Sequence, residues 1–141
     1  MKINASRKLI VALLGLTAMA AQADVVVVVS AKSAAAGLNA DQVSQIFLGK
    51  TNTFPSGEQA VPIDQTDGSN VRNEFYTKVA GKDSAQVKAY WSKQVFTGKS
   101  RPPKEVANNG EVKKLVADNP NLIGYIDKSA VDGSVKVVLT P

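Results

Sequence analysis

The strongest constraint on the fold is a run of five valines, Val25 to Val29, which stands between Asp24 and Ser30. β-Branched side chains favour extended strands. Because apolar and polar residues do not alternate in this run, both faces of the strand must be buried, as in the middle of an α/β sheet. The run therefore predicts an inner strand with other layers packed against both of its faces.

The rest of the chain alternates between helical and strand patterns. Asn39, with Gln42 three residues later, forms a capping-box pattern, which predicts a helix that begins there and ends before Gly49. Pro62 indicates that strand 60–64 lies at a sheet edge, or that the proline stands at its beginning. Further helices are predicted at 70–79, after Asp83 or Ser84, and at 110–118, and further strands at 122–126 and 134–139. We therefore expect an α/β fold, a three-layer-like mixed sheet flanked by helices, in one domain over residues 24–141.

Aromatic and apolar residues are concentrated in the helix that follows Asp83. Tyr90, Trp91 and Val95 recur at helical spacing, and three further aromatic residues lie nearby: Phe75, Tyr76 and Phe96. A patch that stacks on a ligand is one interpretation. Burial in the core is the interpretation we favour, because aromatic side chains dominate core burial.

Residues 1–23 have the three parts of a cleavable secretory signal peptide. Two lysines and an arginine precede an apolar run from Leu9 to Met19, and Ala21-Gln22-Ala23 supplies a small-x-small cleavage site. The apolar run is about half as long as the ~20 residues that a membrane-spanning helix needs. We expect a periplasmic protein with no membrane insertion after cleavage, and a chain without cysteine is not a lipoprotein.

Charge argues against a nucleic-acid partner. The whole chain has 17 Lys and Arg against 12 Asp and Glu, a net charge of +5. Three of these cations lie in residues 1–23, so the remainder has 14 against 12, a net charge of +2. These cations are scattered, whereas nucleic-acid binding needs a dense basic surface. We expect no nucleic-acid partner.

The residue types that are absent exclude most catalytic chemistry. The chain has no histidine and no cysteine. It therefore lacks a histidine base, a Ser-His or Cys-His pair and an ordinary zinc site. The acidic residues show no spacing that pairs two of them around a scissile bond. We expect no catalytic residues, no metal and no cofactor, and hence a protein that is not an enzyme.

The segment from Asp64 to Arg72 is the candidate functional region. It leaves a predicted strand, turns through Asp67-Gly68-Ser69 and enters a predicted helix. The start of a helix presents unpaired N–H groups that can bind an anion, and Arg72 carries a guanidinium suited to an oxyanion. The alternative is structural: Asp67 or Ser69 caps the helix, and Arg72 is a solvated surface residue.

Several segments, in this order, resemble the phosphate-type substrate-binding proteins of ABC transporters. LNADQVSQIFLGK at 38–50 is similar to that family's L-(T/S)-x-x-Q-(L/V)-x-x-I-F-x-G-K helix. FYTKVAGK at 75–82 continues the pattern, and NPNLIGYI at 119–126 is similar to its return strand. Between them lies the segment that reads R-x-D-G-S-G-T-R in the family and wraps the bound oxyanion. The resemblance implies one lobe of a type II periplasmic binding protein that binds phosphate or a related small oxyanion for uptake or sensing.

By the same resemblance, the oxyanion-binding residues of this chain are those that match the segment: Gln65, Asp67, Gly68, Ser69, Asn70 and Arg72. Gln65 stands where the family has its leading Arg, and Asn70-Val71 replace Gly-Thr. A neutral amide in place of a guanidinium loses a charge-assisted hydrogen bond, worth about 1.5–3 kcal/mol. Asp67 can accept a proton from a protonated oxyanion, which favours hydrogen phosphate over sulfate.

The length of the chain bears on its partners. Family members that clamp a ligand between two lobes are much longer, and residues 24–141 match mainly one lobe. We expect a membrane permease or another envelope protein as partner, or a homodimer whose two lobes complete a cleft. The alternative function is a protein-interaction module of the cell envelope that keeps the fold and has lost the ligand.

Overall fold

A computed structural model describes residues 24–141, so the predicted signal peptide lies outside the described residues. Strands and helices alternate for most of the chain, as expected. The elements are β1 (Val25–Ser30), α1 (Ala40–Phe47), β2 (Val61–Gln65), α2 (Asn70–Phe75), a π-helical continuation of α2 (Tyr76–Ala80), α3 (Ser84–Phe96), β3 (Lys104–Val106), α4 (Asn109–Asp118), β4 (Leu122–Asp127), a 3₁₀ turn (Lys128–Ala130) and β5 (Val135–Leu139).

The five strands form one mixed sheet in the order β3-β2-β4-β1-β5. The valine strand β1 lies between β4 and β5 and is antiparallel to both. Strand β2 is parallel to both of its neighbours, β3 and β4. The predicted mixed sheet is confirmed.

The sheet is covered on both faces. Val25, Val27 and Val29 belong to a large core cluster with residues of α1, the α2 region and α3, among them Phe47 and Trp91. Val26 and Val28 belong to a second cluster with α4, represented by Val112 and Val116. All residues of β1 are buried, so the prediction that the valine run is enclosed on both faces is confirmed.

Local signals position the first helix as the sequence predicts. The Asn39 side chain accepts a hydrogen bond from the Gln42 backbone N–H at 2.8 Å. In return, the Gln42 side-chain oxygen accepts one from the Asn39 N–H at 3.0 Å. The helix ends at Phe47, and Gly49 has a φ of 70°, the left-handed conformation that glycine supplies after a helix.

At three points the structure corrects the sequence expectations or decides between them. Strand β3 was not anticipated, because three residues with two exposed side chains carry no periodic signal. Of the two interpretations of Pro62, the edge strand is wrong and a position near the beginning of strand β2 is confirmed. Pro62 stands near its beginning, where β2 pairs with β4 and the pairing with β3 has not yet started, so the missing N–H is tolerated.

The third correction concerns the end of α3. Val95 is 54% exposed and Phe96 is 92% exposed, so neither belongs to the core. Val87 and Trp91 already fill the buried side of the helix, and the last turn extends beyond that contact. Tyr90 is half-buried and donates from its hydroxyl to the Leu48 carbonyl oxygen at 2.6 Å. Among the residues described, no helix is long and apolar enough to cross a membrane.

The close packing of α4 on β4 gives a testable prediction. A Cβ placed on Gly124 would lie 2.5 Å from Val112 Cγ1, and overpacking of this kind costs about 1–3 kcal/mol. We expect Gly124→Ala to lower the free energy of unfolding by that amount in urea denaturation. In the Gly124→Ala/Val112→Ala double variant, the added methyl group fills the vacated space, so the combined loss should be smaller than the sum of the single losses. Strict additivity would contradict the packing argument.

Candidate functional site

The turn between β2 and α2 has the predicted strand–turn–helix geometry. Gly68 has a φ of 87°, a conformation that side-chain-bearing residues rarely adopt. Ser69 caps α2, and its Oγ accepts a hydrogen bond from the Arg72 backbone N–H at 3.2 Å. The carboxylate of Asp67 accepts from the Gly68 N–H and from Ser84 Oγ, both at 3.0 Å. The bond from Ser84 lowers the pKa of Asp67, which is exposed. The capping interpretation is therefore correct for Ser69.

Gln65 is turned into the protein. Its Nε2 donates to the Tyr125 carbonyl oxygen at 3.0 Å and to Asn109 Oδ1 at 2.9 Å. Its Oε1 accepts from Ser69 Oγ at 3.2 Å. Both ends of the amide are thus engaged within the protein, and Gln65 serves here to connect β2 with β4, α4 and the turn.

Arg72 is only 9% exposed, so the interpretation as a solvated surface residue is wrong. Its Nη1 donates to the Gln65 carbonyl oxygen and to Glu105 Oε1, both at 2.8 Å. The same nitrogen lies 3.4 Å from Asp64 Oδ2. Arg72 therefore joins α2 to β2 and to the short strand β3.

Sequence reasoning missed the buried group that balances this arginine. Asp64 is 2% exposed. Its Oδ2 accepts a hydrogen bond from the Tyr76 hydroxyl at 2.5 Å. Its Oδ1 accepts from the Tyr125 hydroxyl and, at 2.8 Å, from the Gln65 backbone N–H. An acidic residue inside a short apolar strand was the available signal, because a buried carboxylate needs partners.

The ionisable side chains of this buried network shift one another's pKa values. Burial raises the pKa of Asp64, and Arg72 and the two tyrosines act in the opposite direction. Burial, reinforced by the Asp64 charge, raises the pKa of Tyr76 and of Tyr125, so both hydroxyls stay protonated as donors. Burial lowers the pKa of Arg72, but Asp64, Tyr76 and Glu105 outweigh it and leave that pKa above its ordinary value. The guanidinium is therefore permanently charged.

A cavity of about 570 Å³ lies beside this network, between α3 and the ends of β2 and β3. One part of its lining is charged, with two cations and three carboxylates. The other part is largely apolar and comes from α3 and the loop before β3. The charged residues are Arg72, Lys88, Asp64, Asp67 and Glu105, and the apolar residues are Trp91, Val95, Phe96 and Pro102.

Two nitrogens of Arg72 make no hydrogen bond among the described residues. A guanidinium has five N–H donors, and only those on Nη1 have partners within residues 24–141. Neither Nε nor Nη2 is among the fully buried polar atoms that lack a hydrogen bond in residues 24–141, so each keeps some exposure to solvent. The Arg72 side chain itself lines the cavity.

Of the six predicted binding residues, the cavity brings together Asp67 and Arg72. Ser69 and Gln65 lie behind them and are bonded to each other. Gly68, on the turn, and Asn70, the first residue of α2, are exposed but do not line the cavity. Across residues 24–141 there is no cluster of three or more acidic residues that could hold a metal ion.

Comparison with solved structures shows that the fold is that of phosphate-type substrate-binding proteins. A protein from Clostridium perfringens, assigned as a phosphate ABC transporter substrate-binding protein and solved with bound phosphate, superposes with a TM-score of 0.65 at 23% identity. An ABC-type phosphate transport receptor from Vibrio cholerae gives 0.64 at 18%, and PstS from Borrelia burgdorferi gives 0.61 at 13%.

Each match covers 82% of this chain but only 44–46% of the other protein. The chain thus spans less than half the length of these structures, as the expectation of a single lobe requires. No protein-family model matches the sequence, and no curated protein sequence matches it. The predicted α/β fold and the resemblance to this class of binding protein are confirmed.

Two tyrosines provide a test of the buried network. The Tyr125 hydroxyl donates to a buried carboxylate, whereas the Tyr90 hydroxyl donates to a neutral backbone carbonyl. Hydrogen bonds to charged groups contribute about 1.5–3 kcal/mol and neutral ones about 0.5–1.5 kcal/mol. In urea denaturation we expect Tyr125→Phe to lower the free energy of unfolding more than Tyr90→Phe does. Equal losses would contradict the stronger contribution that we expect from the hydrogen bond to Asp64.

Proposed function

We propose that the protein is a non-catalytic solute-binding protein of the periplasm, and that it binds phosphate or a related small oxyanion at Arg72. It would act in uptake or sensing together with a membrane permease or another envelope protein. The fold supports a binding role, since the structural neighbours are substrate-binding proteins rather than enzymes. The observation that carries the proposal is the Nε–Nη2 edge of Arg72, which is charged, held in place and free to bond.

The setting of Arg72 supports bidentate binding. Its Nη1 is fixed by the Gln65 carbonyl oxygen and by Glu105, so the guanidinium is already oriented before a ligand arrives. Preorganised donors bind more tightly because less conformational freedom is lost. A guanidinium matches the geometry of a phosphate or carboxylate group with two parallel hydrogen bonds. Lys88, which is exposed at the same cavity, adds a second positive charge.

The carboxylates of the cavity decide which protonation state of phosphate is bound. Two cations and three carboxylates give the lining a formal charge of −1. This negative charge repels a doubly charged anion more than a singly charged one. In addition, the hydroxyl group of a protonated oxyanion can donate a hydrogen bond to the exposed carboxylate of Asp67. The second pKa of a phosphate group lies near neutrality, so this preference falls within an accessible pH range.

Titration calorimetry of the 24–141 protein with phosphate and sulfate tests the proposal. We expect millimolar phosphate to bind, more tightly at about pH 6 than at about pH 8, because the singly charged dihydrogen form of the ligand declines over this range. Sulfate, which keeps two charges, should bind more weakly at both pH values. No heat and no thermal shift with millimolar phosphate would contradict the proposal.

Three variants locate the site. Arg72→Lys keeps the positive charge but removes the two-donor edge, so phosphate binding should weaken about tenfold or more, the equivalent of losing one charge-assisted hydrogen bond. Lys88→Ala should weaken it less, because Lys88 is exposed and its charge is screened. Lys114→Ala is the matched control: this exposed lysine lies on α4, on the other face of the sheet. Equal weakening by Lys88→Ala and Lys114→Ala would indicate a general charge effect.

A second candidate function is a protein-interaction module of the envelope without a ligand. It is favoured by the side chains of Gln65 and Ser69, which the resemblance assigns to the oxyanion and which bond to each other instead. Light scattering after size exclusion and capture from envelope extracts would test it. A stable homodimer or a specific envelope partner, together with no response to phosphate, would favour this function.

A further inference from the structure

We propose that the ligand is an organic oxyanion: an oxyanion head bound by Arg72, joined to an apolar body of about the size of an aromatic ring. The body would lie against Trp91, Val95, Phe96 and Pro102. This inference rests on the proposed function and specifies the class of solute.

The size of the cavity exceeds what inorganic phosphate needs. Cavities that bind small organic molecules measure about 300–1,000 Å³, and this cavity measures about 570 Å³. A water molecule takes up about 30 Å³, and phosphate is only a few times larger. An inorganic anion at Arg72 would leave most of the volume filled with water.

The part of the cavity that phosphate at Arg72 would leave unoccupied has an apolar wall, which α3 provides. Val95 and Phe96 are the large apolar residues that α3 leaves exposed, at 54% and 92%. Trp91, one helical turn before Val95, is nearly buried but still reaches the cavity lining. Exposed neighbouring apolar side chains are characteristic of binding surfaces, and burial of apolar area drives association.

The charges decide against a ligand with a second anionic group. Asp64, Asp67 and Glu105 already place three carboxylates at the charged end. The free edge of Arg72 can serve one oxyanion, and the remaining lining offers apolar side chains, Lys88 and two serines, Ser84 and Ser92. A single anionic head with an apolar body therefore matches both ends of the cavity.

Three ligands that share a phosphate head distinguish the contribution of the apolar body to affinity from the contribution of the head. Inorganic phosphate has no apolar group, methyl phosphate has a small one and phenyl phosphate has an aromatic ring. Binding can be followed by calorimetry and by the fluorescence of Trp91, the one tryptophan of the chain. We expect phenyl phosphate to bind about tenfold more tightly than methyl phosphate, because its ring buries apolar area that a methyl group cannot.

Phe96→Ala tests the apolar wall without threatening the fold, because Phe96 is 92% exposed. The variant should lose most of the difference between phenyl and methyl phosphate and keep its affinity for inorganic phosphate. The matched control is Val137→Ala, an exposed apolar residue on β5, at the opposite edge of the sheet from β3. It should leave all three affinities unchanged.

The outcomes distinguish this inference from the proposed function. Binding of phosphate with no gain for phenyl phosphate would overturn the inference and leave the proposed function standing. No binding of any of the three would overturn both. A wild-type dimer that Phe96→Ala converts to a monomer would also overturn the inference, because a second copy would then cover the apolar wall.

Discussion

The carboxylate of Asp64 is the group on which the surrounding structure depends. It receives hydroxyl donors from Tyr76, which follows α2, and from Tyr125 in β4, and it lies next to the guanidinium of Arg72. These partners come from two separate segments of the chain, the α2 region and β4, so one buried charge in β2 fixes the positions of both relative to that strand. Removing either charged member, Asp64 or Arg72, leaves the other buried charge without its partner, at a cost of about 3–5 kcal/mol.

The same group sets the properties of the cavity. Because Asp64 and Glu105 hold one nitrogen of Arg72, the opposite edge of the guanidinium is presented in a fixed direction. The helix α3 contributes a different property, an apolar surface that ends in an exposed aromatic ring. The cavity thus combines a rigid polar end from the sheet with an apolar side from a helix, and the ligand class proposed above follows from that combination.

Most of the fold could be predicted from the sequence, because the signals that specify it are local. Five valines require burial on both faces, and Asn39 with Gln42 determines where α1 begins. Strand β3 and the exposure of Phe96 could not be predicted, since both depend on which surfaces remain after distant elements have packed. Only part of the geometry of the candidate site could be predicted: Asp67 and Arg72 line the cavity, but the partners of Gln65 are Tyr125 and Asn109, 60 and 44 positions along the chain.

The double engagement of Arg72 has an evolutionary consequence. One side of its guanidinium has a structural role, because it bridges the chain at Gln65 and Glu105. Selection for stability would therefore preserve this arginine whether or not a related protein binds a solute. The apolar side chains at the end of α3 are exposed and have no such structural role, so they can change without loss of the fold. The last turn of α3 should therefore vary among related proteins while the arginine stays constant.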